Sequence, residues 1–218
     1  MLSPLDMGEC VDRCGVGFLF APLYHPCLAS LAPIRKELKI KTVFNILGPL
    51  LNPASPRRMV LGVNSSRLLP IYAQVVRKLD MADHALIVHC CGMDEFCMVG
   101  NSSVYEVKPG QPDVAKEVPP PILPPCRAEE LKGGDATYNA GVIRELLSGK
   151  VQEENMPNFH TVALNAGAVL YVSGLASSIQ DGFSIACETM KSGSALRKLE
   201  EWSNVAQELD AKRKRIKG

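Results

Sequence analysis

Arg35 stands where a charge is out of place. Leu28, Leu31, Arg35 and Leu38 are spaced three, four and three residues apart, so on a helix they share one face. Lys36 and Lys39 fall off that stripe and can stay in water. A guanidinium turned inward needs an anion, because an unpaired buried charge is strongly unfavourable. Its partner is either an internal Asp or Glu, or the carboxylate or phosphate of a ligand, which suits the planar fork. His25-Pro26 lies at the entry to the same helix, where the imidazole can meet a ligand or cap local backbone. Farther on, Gly92-Met93-Asp94-Glu95 follows the apolar run His84 to His89. In open α/β sheets ligands bind beyond the carboxyl ends of strands. Adjacent carboxylates there either form a solvated acidic turn or offer hard oxygens to Mg²⁺, which bridges to substrate phosphates. Cys90 and Cys91 have only His89 beside them as a base, so no covalent catalysis by a side-chain nucleophile is expected.

Between these positions runs Lys41-Thr42-Val43-Phe44-Asn45-Ile46-Leu47-Gly48-Pro49-Leu50-Leu51-Asn52-Pro53. Gly48-Pro49 interrupts a short helical pattern and Asn52-Pro53 closes a second turn. Two Asn and two Pro in an apolar segment predict a buried, shaped backbone, either a core connection or the wall of a pocket.

The elements that must hold these residues are legible in outline. Ser3, Pro4 and Asp6 start a helix that ends near Gly15. Val16 to Phe20 reads as a buried strand or extended segment. A helix then runs to Leu38, kinked or restarted at Pro33. Met59 to Val63, His84 to His89 and Val104 to Val107 read as strands, with a helix over Ser66 to Leu79. The unbroken apolar character of His84 to His89 suits burial on both faces, as in a parallel sheet. Lys108 to Cys126, with its proline clusters, reads as an extended loop. Helices follow over Thr137 to Leu147, Asn158 to Ser173, Ser177 to Lys191 and Ser194 to Ala211. Gly133-Gly134-Asp135 ends one helical segment and starts the next, rather than forming a phosphate loop. The expected fold is α/β, with a mainly parallel central sheet, surrounding helices and a helical C-terminal layer. Residues 1–211 form the α/β domain, and 212–218 a basic tail at the end of the last helix.

With 218 residues, 46% hydrophobic and 22% charged, the chain has the composition of a folded protein. A net charge of +1 gives no general attraction to nucleic acid or an acidic membrane. The eight cysteines (Cys10, Cys14, Cys27, Cys90, Cys91, Cys97, Cys126 and Cys187) contain no CxxC pair. Free thiols in a reducing compartment are expected, with Cys10 and Cys14 packing as small hydrophobes one helical turn apart. No secretory signal follows Met1. The apolar window Thr161 to Ala176 is interrupted by Asn165, Ser173 and two glycines, so it reads as a buried helix in a soluble protein.

Taken together, Phe18 to Pro26, Arg35 ten residues after His25, the run Lys41 to Pro53, the turn Gly92 to Glu95 and the late segment Leu164-Asn165-Ala166-Gly167-Ala168 resemble the anthranilate phosphoribosyltransferases. The likeness covers nearly the whole chain apart from the basic tail. It implies transfer of a phosphoribosyl group from phosphoribosyl pyrophosphate to anthranilate in tryptophan synthesis, by a Mg²⁺-dependent homodimer. It further implies that Arg35 holds the anthranilate carboxylate, that His25, Gly48 and Pro49 line the anthranilate path, and that Asp94 and Glu95 bind Mg²⁺ on the diphosphate.

The chain departs from that pattern in places. The family's Gly-Thr-Gly-Gly-Asp diphosphate loop, its Lys-His-Gly-Asn segment and most of its small helical domain have no equivalent here, so they are expected upstream of residue 1. The usual dimer surface goes with them. Phe96-Cys97 replace a small aliphatic residue and Ser or Thr, and Lys41 stands where Arg is frequent. A truncated, non-catalytic homologue acting in binding or interaction is the alternative reading; a related nucleoside phosphorylase is a third. A plant source would imply the plastid stroma with a transit peptide upstream, and any other source the cytoplasm.

Overall fold

The computed structural model describes residues 2–26, 37, 46–122, 124–152 and 155–217. Arg35 and the helix expected to run to Leu38 lie outside these residues. So do Cys27 and the first part of the run that opens at Lys41. The chain divides into two compact units, Met1–Pro53 with Ala195–Gly218, and Ala54–Ser194.

In the first unit, α1 (Pro4–Cys14) begins with a reciprocal box. The Ser3 hydroxyl accepts the Asp6 N–H at 3.3 Å, and Asp6 Oδ2 accepts the Ser3 N–H at 3.1 Å. Gly15 closes the helix in the left-handed conformation, φ 72°. Met7, Cys10 and Cys14 recur at helical spacing and form a small core with Leu2 and Leu209. The two thiols behave as buried apolar groups, as expected. Val16 to Phe20 is neither strand nor buried. Val16, Phe18 and Phe20 are exposed, and a single strand without a partner cannot pair its backbone. A short helix α2 (Ala21–Tyr24) follows. Much later the chain returns as α7 (Ser194–Lys217), which runs straight through the basic residues. Its Trp202, Val205 and Ala206 pack against the α1 core, and Glu208 takes Arg13 in a two-pronged pair at 2.7 and 3.2 Å.

The second unit holds a four-stranded sheet in the order β1 (Arg58–Gly62), β2 (His84–His89), β3 (Ser102–Val107), β4 (Val114–Val118). β1 and β2 are parallel, with Arg58 opposite His84 and Gly62 opposite Val88. The crossover between them is α3 (Leu69–Lys78), reached through a 3-10 turn at Ser66–Leu68. β2 with β3 and β3 with β4 are antiparallel. The α/β class therefore stands, but the expectation of a mainly parallel sheet is corrected. Only β1 and β2 are joined by a helix long enough to return the chain to the same edge; the later connections are helix-free and reverse direction. β4 also corrects the reading of Lys108 to Cys126 as all loop. It is an edge strand with three of its five residues exposed, so its sequence lacks an apolar run.

Ala85 to Val88 of β2 are fully buried. α3 packs on β2 and β3, and α5 (Met156–Ser173) packs on β1 and β2. α4 (Ala136–Ser148) is capped by Asp135, which accepts the Tyr138 N–H at 2.8 Å, and α6 (Ile179–Lys191) is capped by Ser178. Arg58 donates to the carbonyls of Val172 and Ser173 at 3.1 and 2.6 Å, meeting the negative end of α5. Beneath α5 lies a buried carboxylate. Glu106 of β3, 8% exposed, accepts from Lys108 at 2.8 Å, Lys116 at 2.6 Å, Tyr171 at 2.7 Å and His84 Nε2 at 2.7 Å. Burial holds His84 below its ordinary pKa and two lysines already balance the carboxylate, so its imidazole is neutral and donates Nε2–H.

Candidate functional site

The acidic pair sits where the two parallel strands end. After His89 the chain turns through Cys90, Cys91, Gly92 and Met93, with both cross-turn hydrogen bonds between Cys90 and Met93 formed at 2.8 and 3.0 Å. Cys91 and Gly92 have φ of 48° and 86°, so both central residues are left-handed. That is the tight reversal in which glycine at the second position is favoured. His89 braces it. Its Nδ1 lies 2.9 Å from the carbonyl of Val63, which only accepts, so Nδ1 carries the proton. Nε2 then accepts the Gly92 N–H at 3.4 Å. His89 is thereby engaged in the scaffold rather than positioned as a base.

Asp94 and Glu95 follow at the surface, and Phe96, Cys97 and Met98 plunge into the core. The acidic pair is thus the crest of a loop anchored by a fully buried aromatic ring. Neither carboxylate meets a cation or hydrogen-bond donor within the described residues. Burial, and then the charge of Asp94, raise the pKa of Glu95. Among the described residues no group of three or more His, Cys, Asp or Glu could hold a metal by itself. Two uncompensated carboxylates without a third protein ligand fit Mg²⁺, which keeps waters and takes its remaining oxygens from substrate phosphates.

Gly62, the last residue of β1, explains how the loop lies so low. A methyl group there would sit 1.6 Å from the carbonyl oxygen of Asp94 and 2.6 Å from its carbonyl carbon. Gly62→Ala is expected to destabilise the chain by about 2 kcal/mol, a typical figure for overpacking, because backbone must move. A fall in the urea midpoint at unchanged slope is the measurement.

Cys90 and Cys97 meet beneath the turn with their sulfurs 2.8 Å apart. The Cys97 contact and burial push the Cys90 thiol well above its ordinary pKa, so it stays protonated. Cys91 is exposed, with its thiol pushed up by burial of its surroundings and by Cys90. Neither is an activated nucleophile.

The other site residues belong to the first unit. His25 follows α2, half-buried, its N–H bonded to the carbonyl of Ala21 at 2.9 Å. Gly48 and Pro49 form a 3-10 turn with Leu50, closed by Leu50 N–H to Leu47 O at 2.9 Å. The expected bend is present. It is not buried, since Gly48 and Leu51 to Ser55 are exposed. The structure places Asp94 beside Glu95 on one unit, and His25, Gly48 and Pro49 on the other.

Three supporting residues carry no signal of that role in the sequence. They are Gly62, His89 and Asn165, whose contacts join segments far apart in the chain. Leu164-Asn165-Ala166-Gly167-Ala168 was legible only as a motif; its contact with the acidic loop was not.

Paired carboxylates beyond the ends of parallel strands occupy the place where open α/β sheets commonly meet ligands. Residues 1–196 match the sequence model of the glycosyl transferase family, a/b domain, and the chain belongs to that family. It is 36% identical over 214 residues to the anthranilate phosphoribosyltransferase of Chlamydia felis, an alignment covering 97% of this chain and 61% of that protein. The solved anthranilate phosphoribosyltransferase of Thermus thermophilus superposes with a TM-score of 0.83 at 38% identity, over 94% of this chain and 60% of that one. The Saccharomyces cerevisiae enzyme in complex with PRPP and Mg gives 0.85 at 28% identity, over 95% and 59%. The same yeast enzyme has also been solved in complex with 4-fluoroanthranilate. The chain spans about three fifths of the length of the relatives it matches.

Proposed function

We propose that this chain serves phosphoribosyl transfer from phosphoribosyl pyrophosphate to anthranilate, in tryptophan biosynthesis. The observation that carries the reading is the uncompensated pair Asp94–Glu95 on a braced turn beyond the parallel strands. The chain's similarity to anthranilate phosphoribosyltransferases supports it. In the reaction the anthranilate amine forms a C–N bond to the anomeric carbon, the C–O bond to diphosphate breaks, and the amine proton leaves to solvent. Mg²⁺, when bound, neutralises charge on the departing diphosphate.

The protein's own part is positioning. Asp94 and Glu95 would hold the ion. Arg35 would pair with the carboxylate of anthranilate, with His25 and the Gly48-Pro49 turn along its path. Holding a nucleophile at the correct angle contributes up to about 7–11 kcal/mol in ideal cases. Residues 1–211 would supply this machinery and 212–218 a basic helix end.

The chain joined to an upstream segment that carries the family's diphosphate loop, incubated with anthranilate, phosphoribosyl pyrophosphate and Mg²⁺, is expected to form N-(5-phosphoribosyl)anthranilate and diphosphate one for one. Arg35→Ala is expected to raise the KM for anthranilate at least about tenfold, the loss of one charged hydrogen-bonded contact, without loss of fold. Anthranilate binding without turnover would instead identify a binding protein. An unfolded Arg35→Ala would make Arg35 an internal ion-pair partner.

A further inference from the structure

We infer that Asn165 is a positioning residue that sets the acidic pair, an inference that rests on the metal-binding reading of Asp94 and Glu95. Asn165 lies on α5, and its amide reaches Phe96, the residue directly after Glu95. Oδ1 accepts the Phe96 N–H at 3.1 Å, and Nδ2 donates to the Phe96 carbonyl at 2.7 Å. The second Nδ2 proton goes to the carbonyl of Thr161 at 2.9 Å, one turn back on the same helix.

These three bonds have a joint consequence. The Thr161 carbonyl can only accept, so it fixes which end of the amide is nitrogen. The amide cannot flip without setting oxygen against oxygen at two places. Both backbone groups of Phe96 are therefore clamped by a rotor that is itself locked. The Phe96 N–H belongs to the same peptide plane as the Glu95 carbonyl, so the clamp constrains the backbone on which the Glu95 carboxylate is carried. Gly62 fixes the other side, where it lets the Asp94 backbone settle onto β1. The two carboxylates are thus held between a strand end and a helix side chain. Asn165 needs no contact with the ion to matter. Its effect is to keep two like charges in place before a cation arrives, when repulsion would spread them.

Residues that orient metal ligands typically cost about 10–100-fold in affinity when removed. The test is a titration of the folded chain with Mn²⁺ alone, following the free-ion electron paramagnetic resonance signal well below the melting temperature. There, a change in global stability alone does not alter the fraction of folded sites. Four proteins are compared, namely the unaltered chain, Asp94→Asn with Glu95→Gln, Asn165→Leu and Asn165→Ser. Leu keeps the volume without hydrogen bonds, and Ser keeps a small polar group. The expected result is binding by the unaltered chain, its loss in the Asp94/Glu95 variant, and at least about tenfold weaker binding in the folded Asn165 variants.

Asn165 variants that bind within twofold of the unaltered chain would overturn the inference and leave the metal reading intact. An unaltered chain indistinguishable from the Asp94/Glu95 variant would overturn both. If neither Asn165 variant folds, by circular dichroism, the residue is part of the scaffold and the inference fails.

Discussion

A protein carrying Asp94→Asn and Glu95→Gln is expected to lose at least about a hundredfold in phosphoribosyl transfer while keeping its stability. The activity figure follows from charge. An ion that neutralises a leaving diphosphate is worth several kcal/mol at the transition state, and each 1.36 kcal/mol is tenfold in rate. The stability figure follows from the surroundings. Both side chains are exposed and neither makes an ion pair or hydrogen bond in the described residues, so the fold loses nothing by their neutralisation. Removing both charges also removes their mutual repulsion, which after burial is the second cause that raises the pKa of Glu95. The denaturation midpoint is expected to move by no more than about 0.5 kcal/mol equivalent, as for ordinary surface changes. Anthranilate consumption and a urea titration on the same preparation check the two halves. Full activity in the double variant would remove the carboxylates from the reaction.

Glu106→Gln is expected to do the opposite, costing stability rather than turnover. Glu106 is 8% exposed and balances two lysines. Removing one partner of a buried charge cluster typically costs about 3–5 kcal/mol, and the lower figure applies because Lys108 and Lys116 remain partly in water. The same carboxylate gives stability a pH dependence. Burial opposes its ionisation, but hydrogen bonds from Lys108, Lys116, Tyr171 and His84 outweigh that and hold its pKa far below the ordinary 4.5. In the unfolded chain the group takes up a proton near 4.5, while in the fold it stays ionised. The unfolded state therefore binds more protons below that pH, and stability falls as pH falls. Its contribution is complete above pH 4.5 and is lost progressively below it. His84, held neutral by burial, adds a loss in the same direction as pH falls through its ordinary 6.5. Urea titrations between pH 7 and pH 3 are expected to show a steep decline in the unaltered chain and a shallower one in Glu106→Gln. Equal slopes would show that the cluster does not form.

Residues that act on their own neighbours were readable in the sequence. The Ser3-Pro4-Asp6 start, the Gly133-Gly134-Asp135 break between helical segments and the apolar strand His84 to His89 all work within a few positions of themselves, and all are present. The acidic turn was readable because its turn chemistry and its carboxylates are contiguous. Strand direction was not, because the apolar run of β2 reports burial on both faces, and a mixed sheet buries its centre equally well. β4 escaped because an edge strand shows water as much as core. Glu106 reads as solvent-facing by type; its partners on β2, β4 and α5 converge only in the fold. Asn165 and Phe96 are far apart in the chain, and an amide bonded to backbone leaves no complementary residue to look for.

The pairing of α1 with α7 has a consequence for the order in which the chain matures. Arg13 meets Glu208, and Met7, Cys10 and Cys14 meet Leu209, so α1 is completed by a helix synthesised long after it. Everything from Ala54 to Ser194 is synthesised in between. At ribosomal rates of about 5–20 residues per second, α1 waits on the order of ten seconds for α7. The sheet unit is contiguous and can close during that interval. Vectorial synthesis therefore lets the sheet unit close before α7 reaches α1.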